Sequence, residues 1–597
     1  MISRARMSYA SRVIVAEPAT LIGVALAGPF AYLILAPVAA MLLDAVVVQT
    51  PDARRVEGDP GDFTLYYLER ALVSRVAEPV FWTPLRNTLS IAAGGVVVAM
   101  TLGGLFAWLL SRTDMFGRRW FASALIVPYI LPGWTFALAW LTLFKNRSTG
   151  GHIGWLEGLG LSPPDWLAYG PVPTILILGL HYMPFVILLL GGALRNLDAQ
   201  LEEQARVLGA RRGQAALRIA IPLMRPALIS ASILVFAECI GDFGVPYVLG
   251  LPVNYDVLST SLYRAVNSRQ EGMAAVFAAA ILLLGALALA TDLWLLRNAR
   301  RFATIGAKGA IDRPAPLGLW RAPAAGLAGV VFLAGVVAPL VVLALSTTMR
   351  VPGLFAAENF TLDFWIGVEL PTMAFREGVL RTPEFWSAAW NTVSIVGAAS
   401  LAAGLLGLLV GHCVTRTPYA ALAGFLRQIT FLPYLVPGVA FAFAFLSLFA
   451  VARGPIPSLY GTNLLLILAL VADQMPFASR AGVSAMMQLG SAPEEAARVL
   501  GAGWLRRATR IVLPIQRRAL YTGVLLPFIS GAKNLTLFAL LAAPGTEVLT
   551  TFSLTLLENN YLQAANAVVL MIAAISFGGA LLGQRVLGVD LASGFAK

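Results

Sequence analysis

The chain has 597 residues, of which 58% are hydrophobic and only 12% are charged, and its mean hydropathy is +0.78. Roughly a quarter of the residues of a soluble globular protein are charged, so this composition excludes an ordinary soluble domain and indicates a polytopic membrane protein. The net charge of +12 is dispersed through short loops between apolar runs, which favours membrane topology over binding to nucleic acid.

Twelve apolar runs are long enough to cross a hydrocarbon core of ~30 Å, which needs about 20 helical residues. The first run is too long for the core of a signal peptide, so we interpret it as a retained span. The sequence therefore predicts an all-α membrane protein with six spans in each half. The predicted spans are 21–47, 88–110, 120–144, 173–194, 226–250 and 272–296, then 323–347, 391–413, 428–451, 462–479, 519–543 and 565–586.

Basic residues are concentrated on one side of the predicted spans. The N-terminal arm, the turn after the second span, the loop after the fourth and the central linker carry clustered arginines, whereas the opposite loops are mixed in sign. Because basic loops stay in the cytoplasm, both termini are predicted to be cytoplasmic. The chain has only two cysteines, Cys239 and Cys413, both near or inside spans, which excludes a disulfide framework.

The loops after the fourth and tenth spans share one pattern. Residues 203–222 read EQARVLGARRGQAALRIAIP and residues 495–514 read EAARVLGAGWLRRATRIVLP, at an offset of 292 residues without a gap. Each copy predicts a short helix that ends at a glycine, Gly209 or Gly501, because glycine is favoured where a helix terminates in a left-handed residue. Such a helix, held between two spans, can move as a rigid body. The alternative is an amphipathic helix that rests on lipid headgroups.

The duplication extends well beyond these loops. An Asn-Thr-x-Ser-Ile motif recurs at 87 and 391, Pro-Tyr-x-x-Pro-Gly at 128 and 433, and Met-Pro-Phe at 183 and 475. The offset falls from 305 to 292, which places 13 extra residues in the outer loop within 145–172. We therefore predict two repeats of parallel orientation enclosing a path, residues 1–300 and 323–597, joined by a cytoplasmic linker, 301–322. A duplicated bundle that conducts nothing would show the same repeats.

The duplicated loop resembles the cytoplasmic loop of permease subunits in bacterial binding-protein-dependent ABC importers. The second copy has the full Glu-Ala-Ala, Gly and Ile-x-Leu-Pro spacing, while the first has Gln204 and Ile221 in place of Ala and Leu. The resemblance implies a type I ABC importer permease fold in a bacterial inner membrane. It also implies two cytoplasmic ATP-binding subunits docked on loops 202–222 and 494–514, and a periplasmic substrate-binding protein. The positions that match the family's ATPase-coupling motif are Glu203, Ala205, Gly209 and Pro222 in the first loop and Glu495, Ala497, Gly501 and Pro514 in the second.

The chain itself carries no recognisable nucleotide-binding motif. A phosphate-binding loop needs Gly-x4-Gly-Lys-Ser/Thr, and no Gly-Lys pair occurs in the sequence. We therefore expect ATP hydrolysis on separate subunits, and predict that this chain is not an enzyme and needs no cofactor. The three histidines, His152, His181 and His412, fall in different segments and give no metal-ligand pattern, so the sequence leaves metal binding open.

Charged residues inside the predicted spans are candidates for function because they are costly in a membrane. Glu238 and Asp242 lie four residues apart in span five and therefore on one helix face. The matching stretch of span eleven carries Lys533 and Asn534. We predict that these residues line the translocation path, with the acidic pair facing Lys533. A structural ion pair that locks the two halves together is the alternative.

Tyr129 and Tyr434 are further pathway candidates, with Tyr247 beside them, and packing or interfacial anchoring is the alternative for each. The two-in-one organisation and the Glu…Asp-Phe-Gly stretch of span five resemble the fused iron(III) permeases of this superfamily. Carboxylate and phenolate oxygens would suit iron(III). Thiamine, polyamines, sulfate and phosphonates remain alternative cargoes. A secondary carrier that works without ATP is the alternative of another class, and it would have no use for two ATPase-docking loops.

Overall fold

The computed structural model describes residues 18–150, 153–197, 216–299, 315–367, 377–452 and 457–586, with a few positions of the loop between 204 and 214. This described part of the chain is helical, and its β-structure is limited to isolated bridges between Thr113 and Ala315 and between Met349 and Phe360. A helix satisfies its own backbone hydrogen bonds, as a spanning segment must where water is absent. The prediction of an all-α membrane protein is confirmed.

The longer helices of the first half are separated by short loops and single helical turns. They are α1 Ala19–Asp44, α2 Tyr66–Leu72, α3 Thr83–Arg112, α4 Arg118–Ala124, α5 Gly133–Phe144, α6 Pro171–Asn196, α7 Arg225–Gly241, α8 Gly244–Gly250, α9 Leu258–Asn267 and α10 Glu271–Ala299. Shorter turns lie at Thr50–Asp52, Ala53–Val56, Glu78–Trp82, Val127–Ile130, Arg147–Thr149, Trp155–Gly158, Asp165–Ala168, Ala216–Ala220, Ile221–Leu223 and Leu251–Val253.

The second half repeats most of this order of long helices. They are α11 Arg321–Phe332, α12 Ala338–Ser346, α13 Pro383–Arg416, α14 Ala420–Ile429, α15 Gly438–Phe449, α16 Asn463–Leu489, α17 Ala492–Val499, α18 Arg517–Ala532, α19 Leu535–Leu541, α20 Leu549–Glu558 and α21 Leu562–Val586. Shorter turns lie at Gly318–Trp320, Leu333–Val337, Ala357–Asn359, Asp363–Ile366, Val379–Arg381, Leu432–Leu435, Trp504–Arg507, Ala508–Val512 and Leu513–Ile515.

The repeated sequence motifs fall on corresponding helices in the two halves. Helices α3, α4, α5 and α6 correspond to α13, α14, α15 and α16, and helices α7, α8, α9 and α10 correspond to α18, α19, α20 and α21. The leading span α1 corresponds to α11 and α12, which a π-helical turn at Leu333–Val337 joins. Each half therefore repeats one helical plan.

Eight described helices are long and apolar enough to cross a membrane, and three bent helix pairs raise the number of spans to as many as eleven. The predicted span 428–451 holds only the 12-residue helix α15 as a continuous apolar helix, so the count of twelve is not confirmed. In contrast, the short predicted span 462–479 lies, apart from its first residue, within the 27-residue helix α16.

Spans three and nine are interrupted where the sequence predicted continuous helices. Helices α5 and α15 each begin after a proline, Pro132 or Pro437, and the preceding residues Leu131 and Val436 are extended. A proline ring disfavours helical geometry in the residue before it and removes an N–H donor, which accounts for both breaks. The bend between the two helical parts of span three is 85°.

Contacts divide the chain into two compact units that do not follow the order of the repeats. The first unit comprises Met1–Val47, Glu384–Phe552 and Ala574–Val589, and the second comprises Val48–Pro383, Ser553–Ala573 and Asp590–Lys597. The leading span of each repeat thus belongs to the unit that holds most of the other repeat. The predicted boundaries at 300 and 323 describe the sequence duplication and stay a prediction.

Within the first unit, α1 packs against α14 and α15 of the second repeat. The Thr20 and Thr417 hydroxyls are 3.1 Å apart, and Ser447 donates a hydrogen bond to Asp44 near the other end of α1. Polar contacts therefore fix the leading span near both of its ends.

Within the second unit, α11 and α12 pack against helices of the first repeat. Phe332 meets Trp120 edge to face at 5.0 Å between ring centroids, and the Arg321 guanidinium lies 4.0 Å from the centre of the Phe116 ring. Aromatic and cation–π contacts of this kind add to the stabilisation from burial.

Glycines bring spanning helices into direct backbone contact. A Cβ atom added at Gly407 of α13 would lie 2.4 Å from the Ala478 carbonyl oxygen of α16, and one at Gly482 would lie 2.0 Å from the Gly407 carbonyl oxygen. Gly103 of α3, at the position corresponding to Gly407, would place a Cβ 2.6 Å from Val186 of α6. Small residues permit this close approach, which strengthens helix packing where no hydrophobic effect drives it.

We expect Gly407→Ala to destabilise the packing of α13 against α16. The added methyl group would meet the carbonyl group and the Cβ of Ala478, which cannot move without the backbone of α16, so a cost of about 1–3 kcal/mol is expected. Thermal unfolding of the detergent-solubilised protein, followed by fluorescence of a thiol probe on the buried Cys413, measures the change. Gly397→Ala in the same helix is the matched control, because a Cβ there meets nothing within 4 Å. Equal melting temperatures for the two variants would contradict the close packing of α13 against α16 at Gly407.

Candidate functional site

Two spanning segments are broken at corresponding positions of the two repeats, and neither break lies at a proline. The first break separates α7 from α8 at Asp242, and the second separates α18 from α19 at Asn534, which is 292 residues further along. Asp242 Oδ1 accepts a hydrogen bond from the Val245 N–H at 3.0 Å, and Asn534 Oδ1 accepts one from the Leu537 N–H at 3.0 Å. Each polar side chain therefore caps the short helix that follows it.

In the second unit, polar groups of neighbouring helices converge on the first break. The Tyr182 hydroxyl of α6 donates to Asp242 Oδ2 at 3.2 Å, and Ser259 of α9 donates to the Asp242 carbonyl oxygen at 2.8 Å. His181 Nδ1 lies 3.0 Å from the Pro128 carbonyl oxygen at the break of span three. Side chains thus satisfy backbone groups that broken helices leave without helical partners. Glu238 lies half-buried one turn before Asp242.

In the first unit, amide groups take the corresponding positions. The Gln474 side chain of α16 donates to Asp473 at 2.6 Å and to the Ser530 hydroxyl at 3.3 Å. The Asn534 side chain lies 3.5 Å from Asp473 Oδ2. With the 292-residue offset, Asp473 corresponds to His181, Gln474 to Tyr182, Ser530 to Glu238 and Asn534 to Asp242.

The two breaks therefore share one geometry and differ in chemistry. Transporters commonly place substrate sites at discontinuous helices, whose exposed ends offer backbone groups and dipoles to a solute. The break of the second unit carries Glu238 and Asp242, and that of the first unit carries Lys533 and Asn534. That these four residues line the path stays a prediction. The pairing of the two carboxylates with Lys533 also stays a prediction. Tyr182, Gln474 and Ser530 were not among the residues predicted from the sequence, although each lies next to a matched motif or at a position equivalent to a predicted residue.

Tyr129 and Tyr434 occupy equivalent places at the breaks of spans three and nine. The Tyr129 ring lies 4.5 Å from Phe185, and the Tyr434 ring lies 5.9 Å from Phe477, which is the counterpart of Phe185. These contacts agree with the packing alternative for both tyrosines. Their role in the path stays a prediction.

The second duplicated loop forms the short helix that the sequence predicted. Helix α17 ends with two backbone hydrogen bonds, from Ala502 N to Ala497 O at 3.0 Å and from Gly501 N to Arg498 O at 2.9 Å, and Gly501 has a φ of +81°. This is a Schellman termination, which favours glycine because the residue is left-handed. Glu495 lies in the first turn. Ser491 occupies the N-cap position, but its side chain makes no capping hydrogen bond.

The first loop is described only in part, and Glu203 lies outside the described residues. Ala205 lies in a helical segment, and Gly209 has a φ of +92°, close to the value of Gly501. Pro222 and Pro514 follow π-helical turns at Ala216–Ala220 and Ala508–Val512, where the next spans begin.

Each loop exposes the same two apolar side chains beside its glycine. Val207 and Leu208 are 87% and 88% exposed, and Val499 and Leu500 are both 87% exposed. Exposed apolar residues at a fixed place in both repeats indicate a surface that another molecule covers.

Helix α17 is tied to the end of α13 by a buried ion pair. Glu494 is buried and accepts a hydrogen bond from Arg416 Nε at 2.9 Å, and Arg416 also donates to the Gly490 carbonyl oxygen. On the far side of the loop, Trp504 Nε1 lies 3.1 Å from His412 Nε2. Because both contacts lead to one spanning helix, displacement of α17 would be transmitted to α13.

The described residues contain no group of three or more His, Cys, Asp or Glu side chains that could hold a metal ion. Cys239 and Cys413 are both free and buried.

Comparison with known proteins places these features in context. The family model for the inner membrane component of binding-protein-dependent transport systems matches the chain twice, over residues 95–304 and 403–588. The chain is 26% identical over 521 residues to the ferric transport system permease protein FbpB of Actinobacillus pleuropneumoniae, covering 84% of this chain and 71% of that protein. It is also 26% identical over 479 residues to the putative ferric transport system permease protein FbpB 1 of Haemophilus influenzae, covering 78% and 71% respectively. A shorter relative, the molybdenum transport system permease protein ModB of Escherichia coli, is 28% identical over 229 residues, which cover 37% of this chain and 96% of that protein.

Proposed function

The chain belongs to the family of inner membrane components of binding-protein-dependent transport systems, and from that membership we propose that it is the permease of an ATP-driven importer of iron(III). The double family match carries this proposal, because one chain then supplies both halves of a translocation path. The two capped breaks at Asp242 and Asn534 support it, since they provide polar groups inside the spans. Six spans in each repeat, with both termini in the cytoplasm, complete the proposed topology.

Two cytoplasmic ATP-binding subunits are the proposed partners of the duplicated loops. The exposed pairs Val207-Leu208 and Val499-Leu500 would enter a groove on each subunit, with the glycines fixing the direction of the chain beyond the helix. The ion pair of Glu494 with Arg416 would carry the movement of one docked subunit into α13. The permease itself performs no hydrolysis in this proposal.

Iron(III), delivered by a periplasmic binding protein, is the proposed cargo because the relatives that cover both repeats are ferric permeases. The molybdenum relative covers a single repeat, so it supports the transport architecture more than the cargo. The carboxylates Glu238 and Asp242 suit a hard cation, whereas an oxyanion would be repelled by them.

Uptake by reconstituted vesicles tests this function. The full chain, purified with its co-eluting ATPase and placed in proteoliposomes with the binding protein, should accumulate radioactive iron(III) only when ATP is present. Sulfate, molybdate and thiamine serve as competing cargoes. ATP-dependent accumulation of one of these instead of iron would reject the cargo. Accumulation without ATP would reject the importer class and favour a secondary carrier.

The proposed topology predicts which positions an impermeant thiol reagent reaches on intact cells. In a background without Cys239 and Cys413, a cysteine replacing Pro60 should react, because its loop is predicted to be periplasmic. A cysteine replacing Ala210 should react only after the membrane is permeabilised. Labelling of position 210 but not position 60 on intact cells would invert the orientation.

A further inference from the structure

The second unit contains a cavity of about 500 Å³ at the ends of α5, α8 and α20. In the proposed topology all three ends face the periplasm. Thr149 and Gly150, within the outer loop that holds the 13 extra residues of the first repeat, form part of the wall. The other lining residues are Leu141, Lys145, Tyr247, Val248, Leu251, Pro252, Leu557, Glu558, Asn560 and Leu562.

Two phenol groups meet one carboxylate beside this cavity: Tyr247 and Glu558 line it, and Tyr263 reaches Glu558 from outside the lining. The Tyr247 hydroxyl donates to Glu558 Oε1 at 2.5 Å, and the Tyr263 hydroxyl donates to the same oxygen at 3.1 Å. The two rings meet edge to face, with centroids 5.4 Å apart, and Phe243 packs against both. Tyr247 is buried, whereas Glu558 is exposed. The oxygens are therefore fixed on one side by aromatic packing and reachable from the other.

The spacing of these oxygens suits a single small cation. At metal–oxygen distances of about 2.0 Å, as in octahedral sites, neighbouring ligand oxygens lie about 2.8 Å apart. The two distances from Glu558 Oε1, 2.5 and 3.1 Å, bracket that value. Replacement of the two phenol protons by one metal ion would therefore need only small movements of the side chains.

The charges also favour a trivalent ion. Two phenolates and one carboxylate supply three negative charges, which balance iron(III). Lys145 lines the same cavity, and its burial lowers the pKa of its ammonium group. Arg264, on the same helix as Tyr263, is engaged by Asp256 at 2.8 Å.

The oxygen donors depart from the internal symmetry of the chain. At the offsets of the repeats, Tyr247 corresponds to Ala539, Tyr263 to Leu554 and Glu558 to Asn267, while Lys145 corresponds to Ala450. The symmetry-related positions therefore lack the phenol and carboxylate groups. Packing of a duplicated bundle alone would not require these groups on one side only.

We propose that Tyr247, Tyr263 and Glu558 form a receiving site for iron(III), where the ion rests after it leaves the binding protein and before it enters the path. This site rests on the proposed function, since iron(III) must be the cargo. On binding, each phenol O–H bond breaks and its proton passes to water, while two phenolate oxygens and one carboxylate oxygen bind the metal. No electron transfer is involved, and the metal stays iron(III).

Optical titration of the purified full-length chain tests the site. Iron(III) is added as its nitrilotriacetate complex, and the visible charge-transfer band of phenolate-bound iron(III) is recorded together with the protons released. The wild-type chain should develop the band, and Tyr247→Phe combined with Tyr263→Phe should abolish it. Glu558→Gln should weaken iron binding by about tenfold or more, because a charged ligand becomes neutral. Tyr66→Phe, a change of a phenol outside the cavity, should leave the band unchanged.

The possible results of the two experiments distinguish failure of the proposed iron site from failure of the proposed function. A band of equal strength in the wild type and the double variant would overturn the site, because other phenols would then bind the iron. Absence of the band in a wild-type protein whose vesicles still accumulate iron(III) would overturn the site alone. Accumulation of another solute in place of iron would overturn both proposals.

Discussion

Replacement of both Gly209 and Gly501 by valine is expected to abolish ATP-dependent transport while the protein remains inserted in the membrane. Both glycines are left-handed, with φ values of +92° and +81°, and a β-branched residue in that region costs about 1–2 kcal/mol at each site. The exposed Val-Leu pair next to each glycine would then point away from its docking direction. ATPase activity stimulated by the loaded binding protein, and the amount of ATPase that co-purifies, should both fall by about tenfold or more.

The matched control for this variant lies in the same loop. Gly503→Val changes a glycine with a φ of −64°, where a side chain is tolerated, and a Cβ at this position meets nothing within 4 Å. It should retain most of the stimulated ATPase activity. Normal transport by the Gly209→Val, Gly501→Val double variant would remove these loops from the coupling mechanism.

Neutralisation of Asp242 is expected to reduce iron uptake by about tenfold or more without loss of protein, since an interior charge on a transport path contributes several kcal/mol. Asp242→Asn keeps an oxygen that can accept from the Val245 N–H and so preserves the cap of α8. Asp242→Ala removes the cap as well and should also lower the amount of folded protein. Uptake in vesicles and quantitative immunoblots separate the two effects. Full uptake by Asp242→Asn would show that the carboxylate serves only as a cap.

The same variants test the predicted pairing with Lys533. If Asp242 and Lys533 form a pair, Lys533→Met should damage transport more alone than together with Asp242→Asn, because the double variant leaves no unpaired charge. Glu238→Gln combined with Lys533→Met repeats the test on the other carboxylate. Simple addition of the single effects in both combinations would rule out the pair.

The structure of the duplicated loops could be predicted because a few neighbouring residues determine where each short helix ends. The Val-Leu-Gly sequence at 207–209 and at 499–501 ends a short helix, and the left-handed glycines follow from the chemistry of helix termination. The breaks at Pro132 and Pro437 had a local signal too, since proline disfavours helix in the preceding residue. Continuous spans were predicted there from hydropathy alone, and hydropathy does not register the effect of a proline on helix geometry.

The other breaks and the sharing of spans between units carried no such signal. Asp242 and Asn534 are charged or polar residues in apolar runs, and only the packed structure shows that they cap a second helix. Tyr247 and Glu558 are separated by 311 positions in the chain, so no sequence spacing could bring them together. Hydropathy likewise gives the position of a span in the sequence but does not identify the helices that pack against it. The exchange of leading spans between the two units was therefore not predicted.

That exchange has a consequence for the synthesis of the protein. Thr20 in the first span meets Thr417, which is 397 positions later in the chain. At about 5–20 residues per second, the ribosome needs about 20–80 s to produce that partner. During this interval the first span waits in the bilayer with its packing face towards lipid or towards a membrane chaperone. The nascent first half is therefore an unfinished bundle, and its final assembly must follow translation of the second half.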